Sequence, residues 1–120
     1  LLPADNLLRT RVLEWQFFEQ YSHEPYIAVR RFINRFLGLP EARQAEFDAK
    51  EAGSYRARDV MEKRLGEHEF LVANHYTLAD ISLYAYTNVA HEARLDLDAY
   101  PGIRRWLNTI AAQPGYIDME

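Results

Sequence analysis

Apolar residues return at helical spacing along most of this chain. After Asp5, a residue suited to N-capping, Leu8, Val12, Trp15 and Phe18 or Glu19 fall on one stripe. Leu7, Phe17 and Tyr21 are expected to widen that face. The spacing predicts a long helix from about Asn6 to Ser22. Pro25 has no N–H and disfavours α geometry at the residue before it, so Ser22-His23-Glu24-Pro25 is expected to break the helix. Tyr26, Val29 or Arg30, Ile33, and Phe36 or Leu37 then resume the period as far as Gly38, a good C-terminal stop. Pro40 suits the first turn of another helix. From Glu41 to Leu65 the pattern is polar, with small residues on its stripe (Ala45, Ala49, Ala52 or Gly53, Ala57), and Gly66 ends it. Pro101-Gly102 opens a last helix with Ile103, Trp106, Leu107 and Ile110 on one face, and Pro114-Gly115 stops it.

Between these lies Phe70 to Asp80, followed by an uncharged run from Ile81 to Ala90. Thr77 and Asp80 have capping-box spacing: each side chain can take the other's backbone N–H. Asp80 also sets its charge at the positive helix end. Tyr76 and Ile81 fit a hydrophobic staple. A helix is therefore expected from Thr77 to about Glu92. Ile81, Leu83, Tyr84, Ala85, Tyr86, Val89 and Ala90 occupy every side of its wheel, so it should be surrounded by its neighbours. No sustained period-two alternation appears. The expected fold is all-α: a helical bundle of about five to six helices around a buried central helix.

Composition narrows function by exclusion. The 120 residues suit one domain with one core. The net charge of −4, with only short basic doublets at Arg30-Arg31 and Arg104-Arg105, argues against a nucleic-acid surface. No apolar run approaches the roughly 20 residues of a membrane-spanning helix. With no cysteine, these residues hold no thiolate metal site and no cysteine nucleophile. His23, His68, His75 and His91 form no paired ligand motif, so no metal is expected. Ser22, Ser54 and Ser82 lack a nucleophile elbow, and Ser82 is expected to bond its own helix. The aromatic cluster of Trp15, Phe18, Tyr21, His23 and Tyr26 around the break remains open between core packing and an apolar pocket or interface.

Three segments resemble the C-terminal helical domain of cytosolic glutathione transferases of bacterial type. Phe70-Leu71 through Tyr76-Thr77-Leu78-Ala79-Asp80-Ile81 is similar to that family's capping-box and staple motif. Tyr100-Pro101-Gly102-Ile103-Arg104-Arg105-Trp106, running on to Ile110-Ala111-Ala112-Gln113-Pro114, resembles its common run of tyrosine-proline, a helical tryptophan, then alanine and proline. Arg9 to Tyr26, with Glu14-Trp15 and the aromatic run, resembles its first C-domain helix. One departure is Ala73, where the family usually has glycine; Asn74 is expected to take the left-handed conformation instead.

The resemblance implies that residues 1–120 are one domain of a longer protein, as the opening without methionine also suggests. A thioredoxin-like domain, absent here, would precede it and hold glutathione and the catalytic residue. No catalytic residue is then expected in this chain, and alone it should be inactive. Its implied contribution is the wall of a pocket for small hydrophobic electrophiles, from Phe18, Tyr21, Ser22, His23 and Tyr26, with Tyr84 on the core helix. Thr77 and Asp80 are assigned to folding. The resemblance further implies glutathione as co-substrate and a cytoplasmic homodimer joined through the first and third helical stretches; from charge and hydropathy, neither nucleic acid nor membrane is expected as partner. The competing reading is a non-enzymatic interaction or assembly module of the same fold.

Overall fold

The computed structural model describes residues 1–118, and those residues form no β-strand. Six α-helices occur in order: α1 Asn6–Phe18, α2 Glu24–Arg31, α3 Gln44–Ala49, α4 Glu51–Leu65, α5 Leu78–Asn88 and α6 Pro101–Ala111. Short 3-10 turns at Glu41–Arg43 and Ala90–Ala93 join them. The all-α bundle predicted from the pattern is the observed fold.

The expected break at Pro25 is not a break. The chain stays helical from α1 into α2 through a π-turn at Glu19–His23, in which the N–H of Glu24 reaches back five residues to Glu19 O. A proline inside an α-helix removes one bond and clashes with the carbonyl four residues earlier. The wider turn makes that room without ending the rod. A second π-turn, Phe32–Phe36, ends the rod beyond α2. The predicted Glu41–Leu65 helix is also subdivided, at Lys50, into α3 and α4.

Val12 of α1, Met61 and Leu65 of α4, Leu71, Leu83 of α5, and Ile103, Trp106 and Ile110 of α6 form the main core. Ile27, Ala90, Ala93 and Leu95 form a smaller one under α2. The stripe Leu8–Val12–Trp15–Phe18 faces the core as expected, but Leu7, Phe17 and Tyr21 are exposed. Nor is α5 enclosed all round, because Ile81 stays 41% exposed while Leu83 and Tyr84 are buried. The ring of Tyr76 rests against Phe70, with centroids 6.4 Å apart.

Asp80 does more than cap a helix. Its buried carboxylate accepts the N–H of Thr77 (2.9 Å), the Thr77 hydroxyl (3.2 Å), the N–H of Leu71 (3.1 Å) and the indole N–H of Trp106 (2.9 Å). Thr77 Oγ1 in turn accepts the N–H of Ala79 at 3.2 Å, and the capping box is closed in both directions. Ser82, expected to bond its own helix, accepts Gln16 Nε2 of α1 at 3.4 Å. The loop before the cap turns at Ala73 itself, with φ 54°, and not at Asn74. Arg64 holds this turn by donating to Phe70 O and Ala73 O, each at 3.3 Å.

The start of α6 is fixed from another helix. Glu62 of α4 accepts the N–H groups of Gly102 (2.8 Å) and Ile103 (2.9 Å), two of the donors a helix start leaves free. The backbones approach so closely that a Cβ on Gly102 would stand 2.6 Å from the carbonyl carbon of Leu65.

These contacts set two expectations for stability. Asp80→Ala strands the buried donors of Leu71, Thr77 and Trp106, and is expected to cost about 3 kcal/mol or more; denaturant unfolding measures it, and a loss close to the roughly 1 kcal/mol of an ordinary cap contradicts the shared role. Ala73→Gly relieves the left-handed strain and is expected to stabilise by about 0.5–1 kcal/mol; an unchanged or lower melting temperature contradicts that strain.

Candidate functional site

The rod of α1, π-turn and α2 sorts the aromatic residues into three environments. The side facing α4 forms an open apolar cleft of about 570 Å³. Leu7, Trp15 and Phe18 line it from α1, Val60 from α4, and Leu71 and Val72 from the loop. Trp15 and Phe18 meet edge to face, ring centroids 5.4 Å apart. Arg11 and Glu14 form an exposed ion pair of 2.8 Å on its rim. A smaller hollow of about 170 Å³ continues along the same side, where Phe18, Ser22 and Tyr26 meet Gly53, Arg56 and Val60. Tyr26 lies so close to α4 that a Cβ on Gly53 would enter its ring, 2.1 Å from the nearest carbon. Gly53 is therefore a packing requirement of the site, not a flexible point.

The opposite side carries Leu13, Phe17 and Tyr21 at four-residue intervals, 43%, 73% and 85% exposed. Gln16, the residue before Phe17, bonds Ser82 of α5, so this stripe runs beside the start of α5. Ile81, also exposed, is the neighbouring residue there.

The third environment is interior, and it takes two of the predicted pocket residues. His23 is fully buried and lines neither hollow. The Thr87 hydroxyl donates to Leu83 O (2.7 Å), so its lone pair is left to accept Nε2–H of His23 at 2.9 Å. The Nδ1 edge has no hydrogen-bond partner and stands 3.9 Å from the buried carboxylate of Glu19. The reason is spacing: His23 lies four residues after buried Glu19 and four before buried Ile27, so it continues the core stripe of Val12 through the π-turn. Tyr84 is buried as well, its ring edge-on to Trp106 at 6.0 Å and its hydroxyl 2.7 Å from that of Tyr116. Burial, reinforced by the bond to Tyr116, pushes the Tyr84 hydroxyl far above its ordinary value. It is thus held protonated at neutral pH.

Of the predicted set, Phe18, Ser22 and Tyr26 come together, Tyr21 faces away from them, and His23 and Tyr84 are inside. Phe17 and Val60 are surface residues that the sequence pattern does not single out as site residues. Exposure of Phe17 shows only once the core stripe is known to run through Val12 and Glu19. No cluster of histidine, aspartate and glutamate suited to a metal occurs among the described residues. No described helix is long and apolar enough to cross a membrane. The arrangement offers apolar contact and a few hydroxyls; it presents no assembled nucleophile and base among the described residues.

Comparison with known proteins agrees with this fold. Residues 15–114 match the family model described as glutathione S-transferase, C-terminal domain. A crystal structure of a glutathione S-transferase from Pseudomonas fluorescens is 53% identical, covers 98% of this chain and 59% of its own, and superposes with a TM-score of 0.96. One from Xanthobacter autotrophicus is 46% identical over 97% of this chain and 57% of its own, with a TM-score of 0.87. The disulfide-bond oxidoreductase YfcG of Escherichia coli is 24% identical over 88% of this chain and 48% of its own length. The chain thus spans about half the length of the curated relatives it matches. It belongs to the glutathione S-transferase family, as that family's C-terminal helical domain.

Proposed function

We propose that this chain is the substrate-side half of a glutathione S-transferase that transfers glutathione to small hydrophobic electrophiles. The observation that carries the reading is the two-faced first rod: one apolar side lines an open cleft against α4, and the other leaves Phe17 and Tyr21 exposed beside α5. Exposed stiff aromatics at one-turn spacing lose little entropy when they receive a flat apolar compound. The electrophile wall is assigned to Phe17 and Tyr21, with Leu13 beneath them. Glutathione is bound mainly by a thioredoxin-like domain of the whole protein, and two solved relatives are described with glutathione bound, in one case two molecules per subunit and in the other the oxidised form.

Chemistry follows from that division. The thiolate of glutathione attacks the electrophilic carbon and its leaving group departs with the bonding pair. A chain without cysteine supplies neither thiolate nor competitor for it. Its contribution is to hold the electrophile near the thiolate and to exclude water. Phe18, Ser22 and Tyr26 belong to the α4 side, and with Leu7, Trp15 and Val60 they are assigned to a homodimer surface. The apolar cleft and the mixed-charge Arg11–Glu14 rim suit a two-fold contact, in which each sign can face the other. The reading implies a cytoplasmic protein.

In the whole protein, Phe17→Ala with Tyr21→Ala is expected to raise KM for an aromatic electrophile such as a chloronitrobenzene by about tenfold, roughly 1.4 kcal/mol. KM for glutathione should stay within about twofold, roughly 0.4 kcal/mol. An unchanged electrophile KM contradicts the assignment, and conjugation by residues 1–120 alone contradicts the division of labour. Val60→Glu places a charge in the apolar cleft and is expected to convert a dimer to a monomer by sedimentation velocity; a dimer that persists removes the cleft from the interface.

A further inference from the structure

Gln20 lies within the π-turn that joins α1 to α2. The turn is closed by the N–H of Glu24, which donates to Glu19 O. The side chains of those same two residues are joined as well. Gln20 Nε2 donates to Glu19 Oε2 at 2.6 Å and to Glu24 Oε2 at 3.2 Å. Both acceptors are carboxylate oxygens, so the amide nitrogen faces them, with one N–H for each. Gln20 itself is exposed, whereas Glu19 is buried and Glu24 half-buried.

The turn needs such a tie. In a regular α-helix the ring of Pro25 would meet the carbonyl of Tyr21, four residues earlier. The wider turn avoids that clash, and Tyr21 is its middle residue. Helix α5 holds the rod on either side of Tyr21: Ser82 accepts Gln16 Nε2 at 3.4 Å, and the His23 ring bonds the Thr87 hydroxyl at 2.9 Å. Between those two points the turn carries Glu19 and Glu24 on one side, and two carboxylates so placed repel each other when both are ionised. The amide of Gln20 bridges them.

We infer that Gln20 is a positioning residue for the electrophile wall: by bridging Glu19 and Glu24 it holds the π-turn and so sets Tyr21 in line with Phe17. The inference rests on the assignment of Phe17 and Tyr21 to that wall. The amide of Gln20 is engaged by the two carboxylates, so its effect reaches the electrophile through the backbone of Tyr21, its neighbour in sequence. Gln20→Glu keeps the side-chain length, removes both N–H donors and sets a third carboxylate against the first two. Gln20→Lys returns donors, with opposite charge, to the same place. Position 20 is exposed, so either change leaves the core intact.

The test compares these variants in the whole protein, by hydrogen exchange of the Glu24 amide and by steady-state kinetics with the aromatic electrophile. Gln20→Glu is expected to speed the exchange and to raise the electrophile KM, each about threefold, with KM for glutathione unchanged. Gln20→Lys is expected to restore both. In a Tyr21→Ala background, Gln20→Glu is expected to add nothing to the electrophile KM. An unchanged Glu24 exchange rate overturns the inference, as does a Gln20→Lys protein that behaves like Gln20→Glu. A full rise in KM without the Tyr21 side chain overturns it too, because the effect then takes another route. A lowered melting temperature with both KM values unmoved means a stabilising contact only. An electrophile KM that Gln20→Glu leaves alone, while Phe17→Ala with Tyr21→Ala raises it, overturns the positioning and keeps the wall. A KM that neither change moves removes the wall and this inference with it.

Discussion

The carboxylate of Asp80 is the junction on which the structure depends. Four hydrogen bonds converge on it from three stretches of chain: the loop at Leu71, the cap at Thr77 and α6 at Trp106. A buried carboxylate is tolerable only when its lone pairs are matched by donors. Here the donors are also the groups that most need an acceptor, because a helix start, a tight loop and a buried indole each carry an N–H away from water. One side chain thus fixes the start of α5, the course of the loop and the position of α6 together. Each bond alone is modest, and their sharing of one buried acceptor makes them interdependent.

Two further ties extend this junction to α4. Glu62 caps α6, and Gly102 lets the two backbones meet. Arg64 holds the carbonyls of Phe70 and Ala73. The loop is consequently anchored from both ends, and Ala73 keeps a left-handed conformation that alanine disfavours. Leu71 and Val72, which floor the cleft, are set by these contacts. The site is therefore a consequence of the core: α1 lies against α5, α5 is placed by Asp80, and the two faces of α1 are left to cleft and solvent.

Much of this was legible in the pattern of residues. The helices, the cap at Thr77, the core stripe of α1 and the last helix all follow from local spacing. A partner far along the chain leaves no such trace. Asp80 reads as a cap because its bond to Thr77 is local, whereas its bond to Trp106 spans 26 residues. Glu62 reads as one more surface charge on a polar helix, and its capping role appears only when α6 is set beside it. At the site, Phe18, Ser22 and Tyr26 converge because their four-residue intervals survive the π-turn in part. His23 turns inward because it continues the stripe of Val12 and Glu19, a continuity that the break expected at Pro25 conceals.

The central claim is that loop, cap and last helix open together because they share one acceptor. Native-state hydrogen exchange of the Trp106 indole N–H and the Leu71 and Thr77 amides tests it most directly. Under conditions where exchange reports opening equilibria, the account predicts one free energy for all three, equal to that of global unfolding. Exchange of the Leu71 or Thr77 amide at a clearly lower free energy, while the indole stays protected, contradicts it.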